Sequence, residues 1–176
     1  MQTAAFPPQR FSRPAQFLHW AIFLLVALAY LAIEVRGPKG SASRIFWSAT
    51  HYWAGISVLA LSVIRLCWRF YQPPPAPEPD TAILLFLAKV THLMLYIFII
   101  AQPILGILTI NFGGHPVTLA GLGSFTIVSP NHDLRDTVKW LHETLGNAFY
   151  FVIGLHALAA LWHHFVKRDN TLRRML

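Results

Sequence analysis

Four apolar runs, each about as long as a bilayer crossing, dominate this 176-residue chain and leave few folds open to it. They cover residues 16–35, 47–70, 83–110 and 138–165. Inside lipid each segment must satisfy its own backbone hydrogen bonds, so runs of this length are read as helices. Composition agrees. The chain is 55% hydrophobic and 12% charged, with mean hydropathy +0.49, where a soluble domain is about a quarter charged. Thirteen Phe, six Trp and five Tyr suit apolar helices with aromatic ends at the headgroups. The expected fold is an all-α integral membrane four-helix bundle, one domain over residues 1–176, with no internal repeat.

Short polar segments punctuate the runs. Residues 36–44 and 72–81 are brief connectors, and residues 111–136 form a longer loop. The proline run from Pro73 to Pro79 predicts a stiff, extended spacer. Pro103 predicts a kink in the third helix. Arg10 and Arg13 precede the first run, and Ala27-Leu28-Ala29 loosely resembles a signal cleavage site. The run continues well beyond it, so a retained first helix is expected.

Several classes are excluded or disfavoured. The single Cys67 allows no internal disulfide and no multi-cysteine metal site. The net charge of +7 would fit nucleic acid in a polar chain; here basic membrane flanks account for it. Four crossings place both termini on one side with residues 72–81. That side carries nine basic residues against five on the other. The positive-inside rule then puts both termini in the cytoplasm.

Histidines carry the chemistry. His142 and His156 lie fourteen residues apart in the fourth run. On a helix that is about 21 Å and close to four turns, so both rings face the same way. Imidazole is a standard axial ligand of haem iron. Partners at matching depths exist: His51 near the outer start of helix two pairs with His142, and His19 near the inner start of helix one pairs with His156. Four such residues predict two stacked b-type haems in a bundle core. No Cys-x-x-Cys-His motif points to covalent attachment. His92, at the inner start of helix three, competes with His19 or lies beside the inner haem. His163 falls two turns past His156 on the same face, and His163 and His164 are equally well read as surface histidines. His115 and His132 are placed in the outer loop, solvated. Gly55, Gly146 and Gly154, near the paired histidines, provide room for a macrocycle or for ordinary helix packing.

Specific strings extend this picture. His19-Trp20 opens helix one and Glu34-x-Arg36-Gly37 closes it; His51 stands in helix two. Trp140-Leu141-His142-Glu143-Thr144-Leu145 and Tyr150-Phe151-Val152-Ile153-Gly154-Leu155-His156-Ala157 fill helix four, followed by His163-His164 and Asp169-Asn170-Thr171-Leu172-Arg173. With these the chain resembles the bacterial di-haem cytochrome b561 family, and within it the superoxide oxidases. The resemblance spans almost the whole chain and is weakest over residues 111–136. It implies His51 and His142 on a periplasmic haem and His19 and His156 on a cytoplasmic one. It implies transmembrane electron transfer, with superoxide oxidised outside and ubiquinone reduced inside.

The residues are compatible with that chemistry. Arg36, Lys39, Arg135 and Lys139 on the outer side are candidates for steering an anionic substrate, or for neutralising haem propionates. His163, with Ser12, Arg13 and Arg65 as neighbours, is the candidate quinone side, because a histidine holds and passes a proton near neutral pH. Three functions follow from the sequence: a superoxide–ubiquinone oxidoreductase, a di-haem carrier serving a periplasmic or membrane dehydrogenase, and a bundle without haem.

Overall fold

The computed structural model describes residues 10–119 and 123–176. Four helices carry the fold: α1 (Arg13–Glu34), α2 (Ala42–Tyr71), α3 (Ala82–Phe112) and α4 (His132–Trp162). Each is long and apolar enough to cross a membrane. The surface has the matching polarity. Phe17 is 70% exposed and Phe151 81%, whereas the largest fully buried side chains are Asn111 and Ser62. An apolar exterior around a few buried polar groups is stable in lipid, not in water.

Local chemistry sets the helix ends. Ser41 accepts from the Arg44 amide, Thr81 from Leu84 and Asn131 from Leu134, so α2, α3 and α4 each start on a side-chain cap. Ser12 precedes α1 without capping it; its Oγ accepts from Trp68 Nε1 at 2.9 Å instead. The Asn131 cap starts α4 six residues before the apolar run. His132 is therefore the first residue of a helix rather than part of a loop, though it is exposed as expected. α4 ends in a π turn over His163–Lys167, closed by Arg168 in the left-handed conformation (φ 54°). Pro103 lies inside α3 without ending it.

Residues 111–136, read from sequence as loop, contain more structure. Strands β1 (Val117–Leu119) and β2 (Gly123–Phe125) form an antiparallel hairpin, with Val117 opposite Phe125. Asn111 pins the segment. Its Nδ2 donates to the His115 carbonyl at 3.0 Å and its Oδ1 accepts from the Ile127 amide at 2.8 Å. This hairpin marks one end of the bundle.

The other end holds both ends of the described chain. The Arg174 carbonyl accepts from the Phe11 amide and from Gln16 Nε2, and Trp20 Nε1 donates to the Met175 carbonyl at 2.8 Å. Arg174, 7% exposed, also reaches Glu78 and the Ala76 carbonyl, and Lys167 pairs with Asp80. The proline-rich segment, neither helix nor strand from Pro73 to Asp80, is thus clamped by the C-terminal tail.

α1 packs along α2 and α3 along α4, while α1 and α4 make little close backbone contact. The space left between the two helix pairs is where the histidines meet.

Candidate functional site

Antiparallel packing of α1 and α2 fixes the first two histidines. At the hairpin end the carbonyl of Ala29 lies 2.8 Å from His51 Nδ1; at the terminal end Arg65 Nη1 donates to the Ala15 carbonyl at 2.9 Å. Facing them, α4 supplies His142 and His156. The His51 and His142 ring centroids are 6.1 Å apart at 89°, and those of His19 and His156 are 6.4 Å apart at 77°. The structure therefore brings together both pairs that helix direction predicts. His92 is nearer still to His156, at 5.4 Å.

The hairpin-end pair is anchored on both sides. A carbonyl only accepts, so His51 donates from Nδ1 to Ala29, and His142 donates from Nδ1 to the Gln102 carbonyl at 3.1 Å. That tautomer leaves each Nε2 with a free lone pair for a metal. Gln102 grips twice, since its Nε2 donates to the His142 carbonyl at 2.9 Å. A cavity of about 360 Å³ opens beside the pair, within the range of ligand and cofactor sites. Tyr30, Arg36, Gly55, Gln102, Gly106 and Gly146 are among its walls. A Cβ added at Gly55 would meet nothing within 4 Å, and one at Gly106 would lie 3.4 Å from His142 Cε1. Gly154 has open space around it and is not part of this wall.

These features suit a metal macrocycle. Metal–nitrogen bonds of about 2 Å on opposite sides put two imidazole centres about 6 Å apart, close to both observed spacings. Glycines leave the cavity wall without bulk, and Gln102 Oε1 is buried there with no hydrogen-bond partner among the described residues.

The remaining candidates divide. At the hairpin end Arg135 is bonded to Asp136 at 3.2 Å and Lys139 to Glu143 at 3.3 Å. Arg36 and Lys39 are exposed and have no carboxylate partner among the described residues. At the terminal end Ser12 and Arg65 line a second cavity of about 310 Å³ with Arg10, Trp68, Arg69 and Tyr96. Arg13 and His163 are not in its wall. His163 instead contacts Asp169 Oδ2 through Nδ1 at 2.5 Å, near Thr171 Oγ1. Burial pushes the Asp169 carboxyl upward, but hydrogen bonds from His163 and Thr171 outweigh this and hold it below the usual carboxylate range.

Gln102 and Gly106 were not singled out by the sequence, and Asp169 entered only within a family string, without its contact to His163. The string Gln102-Pro103-x-x-Gly106 carries a faint signal, a helix kink followed one turn later by a residue without a side chain.

Comparison with known proteins decides the family. The family model for prokaryotic cytochrome b561 matches residues 10–176. The chain belongs to the prokaryotic cytochrome b561 family. It is 41% identical over 170 residues to cytochrome b561 homolog 1 of Escherichia coli (strain K12), covering 95% of this chain and 97% of that one. It is 41% identical over 161 residues to the probable superoxide oxidase CybB of Yersinia pestis, covering 90% and 91%. It is 34% identical over 177 residues to cytochrome b561 homolog 2 of Escherichia coli (strain K12), covering 96% and 92%. As a cytochrome b561 the chain is a multi-pass bacterial membrane protein of transmembrane electron transfer, and the family implies b haem.

Proposed function

We propose that this cytochrome b561 binds two b haems and oxidises superoxide on one side of the membrane while reducing ubiquinone on the other. The observation that carries the reading is the pair of matched imidazole spacings, 6.1 and 6.4 Å, at two depths of the bundle. His51 and His142 hold the haem at the hairpin end; His19 and His156 hold the one at the terminal end. His19 is preferred to His92 because its distance from His156 repeats the hairpin-end spacing. His92 then stands beside the inner haem. Charge places both termini in the cytoplasm and the hairpin outside. The whole chain acts as one domain.

When bound, haem b supplies reversible one-electron chemistry at its iron. The protein contributes the rest. Arg36 and Lys39 raise the local concentration of a small anion near the outer cleft; paired Arg135 and Lys139 add less, because a carboxylate offsets each. Inside, Ser12 and Arg65 offer hydrogen-bond donors to a quinone oxygen in a cavity with aromatic walls. Arg13, at the start of α1, adds positive charge nearby. His163, oriented by Asp169 outside that cavity wall, is the residue at this end that can pass a proton toward the reduced quinone. The overall reaction balances as two superoxide anions, one quinone and two protons giving two dioxygen and one quinol. The similarity to the probable superoxide oxidase CybB supports this donor.

Mixing the purified protein with superoxide in a stopped-flow instrument tests the proposal. Haem reduction that slows as salt rises is expected. Absence of reduction by superoxide, with reduction by a dehydrogenase, would make the protein a carrier instead.

A further inference from the structure

The two histidine pairs differ in what their rings touch, and the difference bears on electron flow. Both hairpin-end imidazoles donate Nδ1–H to backbone carbonyls, His51 to Ala29 at 2.8 Å and His142 to Gln102 at 3.1 Å. Neither ring nitrogen of His19 or of His156 has a hydrogen-bond partner among the described residues. Donation from the distal nitrogen makes an imidazole a more basic ligand and stabilises the oxidised metal.

Charge adds independently. Arg65 on α2 faces His19, His92 and His156, and Arg69 faces His92. At the hairpin end Arg36 faces His51 but is exposed, so solvent screens it more than the half-buried Arg65, and Glu143 beside His142 is already paired with Lys139. An uncompensated cation favours the reduced, less positive centre.

Resting on the two-haem reading, we propose that the fold builds a potential gradient along the bundle. The carbonyls of Ala29 and Gln102 lower the reduction potential of the hairpin-end centre, and Arg65 raises that of the terminal-end centre. Electrons then run downhill from the hairpin end to the terminal end. Gln102 is a positioning residue in this scheme. Its side-chain amide ties residue 102 of α3 to the His142 backbone and so holds its own carbonyl under the ring. Gly106 lies against the same ring, with His142 Cε1 3.4 Å from where its Cβ would be.

Spectropotentiometric titration tests this in the intact protein. Two one-electron components should differ by at least tenfold in electron distribution, or 59 mV. Gln102→Leu should raise only the lower component, by about threefold, and Arg65→Gln should lower only the higher one, with haem content unchanged in both. His156→Ala, which leaves the hairpin-end pair, should retain the lower-potential centre, and His142→Ala the higher. Coincident components, a reversed order in the histidine variants, or Gln102→Leu and Arg65→Gln that shift both components or neither would overturn the gradient. Haem content of the unaltered protein separately reports on the two-haem reading, so the two failures are distinguishable.

Discussion

At the hairpin end and at the terminal end the bundle solves the same packing problem with different means. Each end brings one histidine from α4 against one from the α1–α2 pair, at almost equal spacing. The hairpin end fixes its rings by neutral hydrogen bonds to carbonyls of α1 and α3, and its connecting segment by the buried amide of Asn111. The terminal end fixes its connector and tail by the ion pairs Asp80 with Lys167 and Glu78 with Arg174, and by the contact of His163 with Asp169. Neutral backbone bonds hold a ring in one tautomer and orientation. Charged side chains near the headgroups keep proton-exchanging groups within reach of water. On the proposed function, the first arrangement serves the end that receives an electron from a small anion, and the second the end that reduces and protonates a quinone.

The largest expected effect separates the two pairs. His142→Ala should lose the hairpin-end haem and His156→Ala the terminal-end haem, each lowering the haem-to-protein ratio by about half. Pyridine haemochrome assay against protein mass reads this directly. Retention of both haems in either variant would break the pairing.

Next comes steering. Arg36→Gln with Lys39→Gln should slow haem reduction by superoxide by about tenfold at low salt and flatten its salt dependence. Arg135→Gln with Lys139→Gln should do much less, because each cation is already paired. Equal effects in the two double variants would show that the net charge of the outer face, not the unpaired cations, attracts the anion.

Smaller is the cost of unpinning the hairpin. Asn111→Ala leaves the Ile127 amide and the His115 carbonyl without their partner. A loss of about 1–3 kcal/mol is expected, seen as a lower Tm in detergent, with the terminal-end haem spectrum unchanged.

The sequence disclosed the four crossings because apolar run length is a one-dimensional property. It also put His51 level with His142 and His19 level with His156, since helix direction and depth follow from counting residues, but it left His92 as a competitor, and His92 lies nearer to His156 than His19 does. The early start of α4 escaped because residues 132–137 are polar apart from Leu134, and only the Asn131 cap reveals them as helix. The clamp of Gln102 on His142 escaped because it depends on the register between α3 and α4, which no local pattern encodes. The contact of Asp169 with His163 escaped for a similar reason. A π turn and a left-handed residue fold the chain back onto His163, and neither has a clear signature in the string His163 to Asp169.

Acid offers the finest distinction between the ends. Asp80 is held below the ordinary carboxylate range by its hydrogen bond from Lys167, then by the Thr81 amide. Asp169 is also held low, by His163 and Thr171 against the effect of burial. A carboxyl whose folded pKa is depressed contributes stability that is complete above its unfolded value, about 3.9, and is lost as pH falls through the folded value. The terminal end should therefore loosen below about pH 4 and be indifferent between pH 5 and 7 as far as these two carboxylates are concerned. The Asn111 bonds at the hairpin end involve no ionisable group and should persist through the same range. Hydrogen exchange followed by mass spectrometry, comparing residues 163–176 with residues 111–119 at each pH, cancels the intrinsic pH dependence of exchange. Preferential loss of protection in the C-terminal segment below pH 4 is expected. Parallel loss at both ends would show that the ion pairs do not set the order in which the bundle opens.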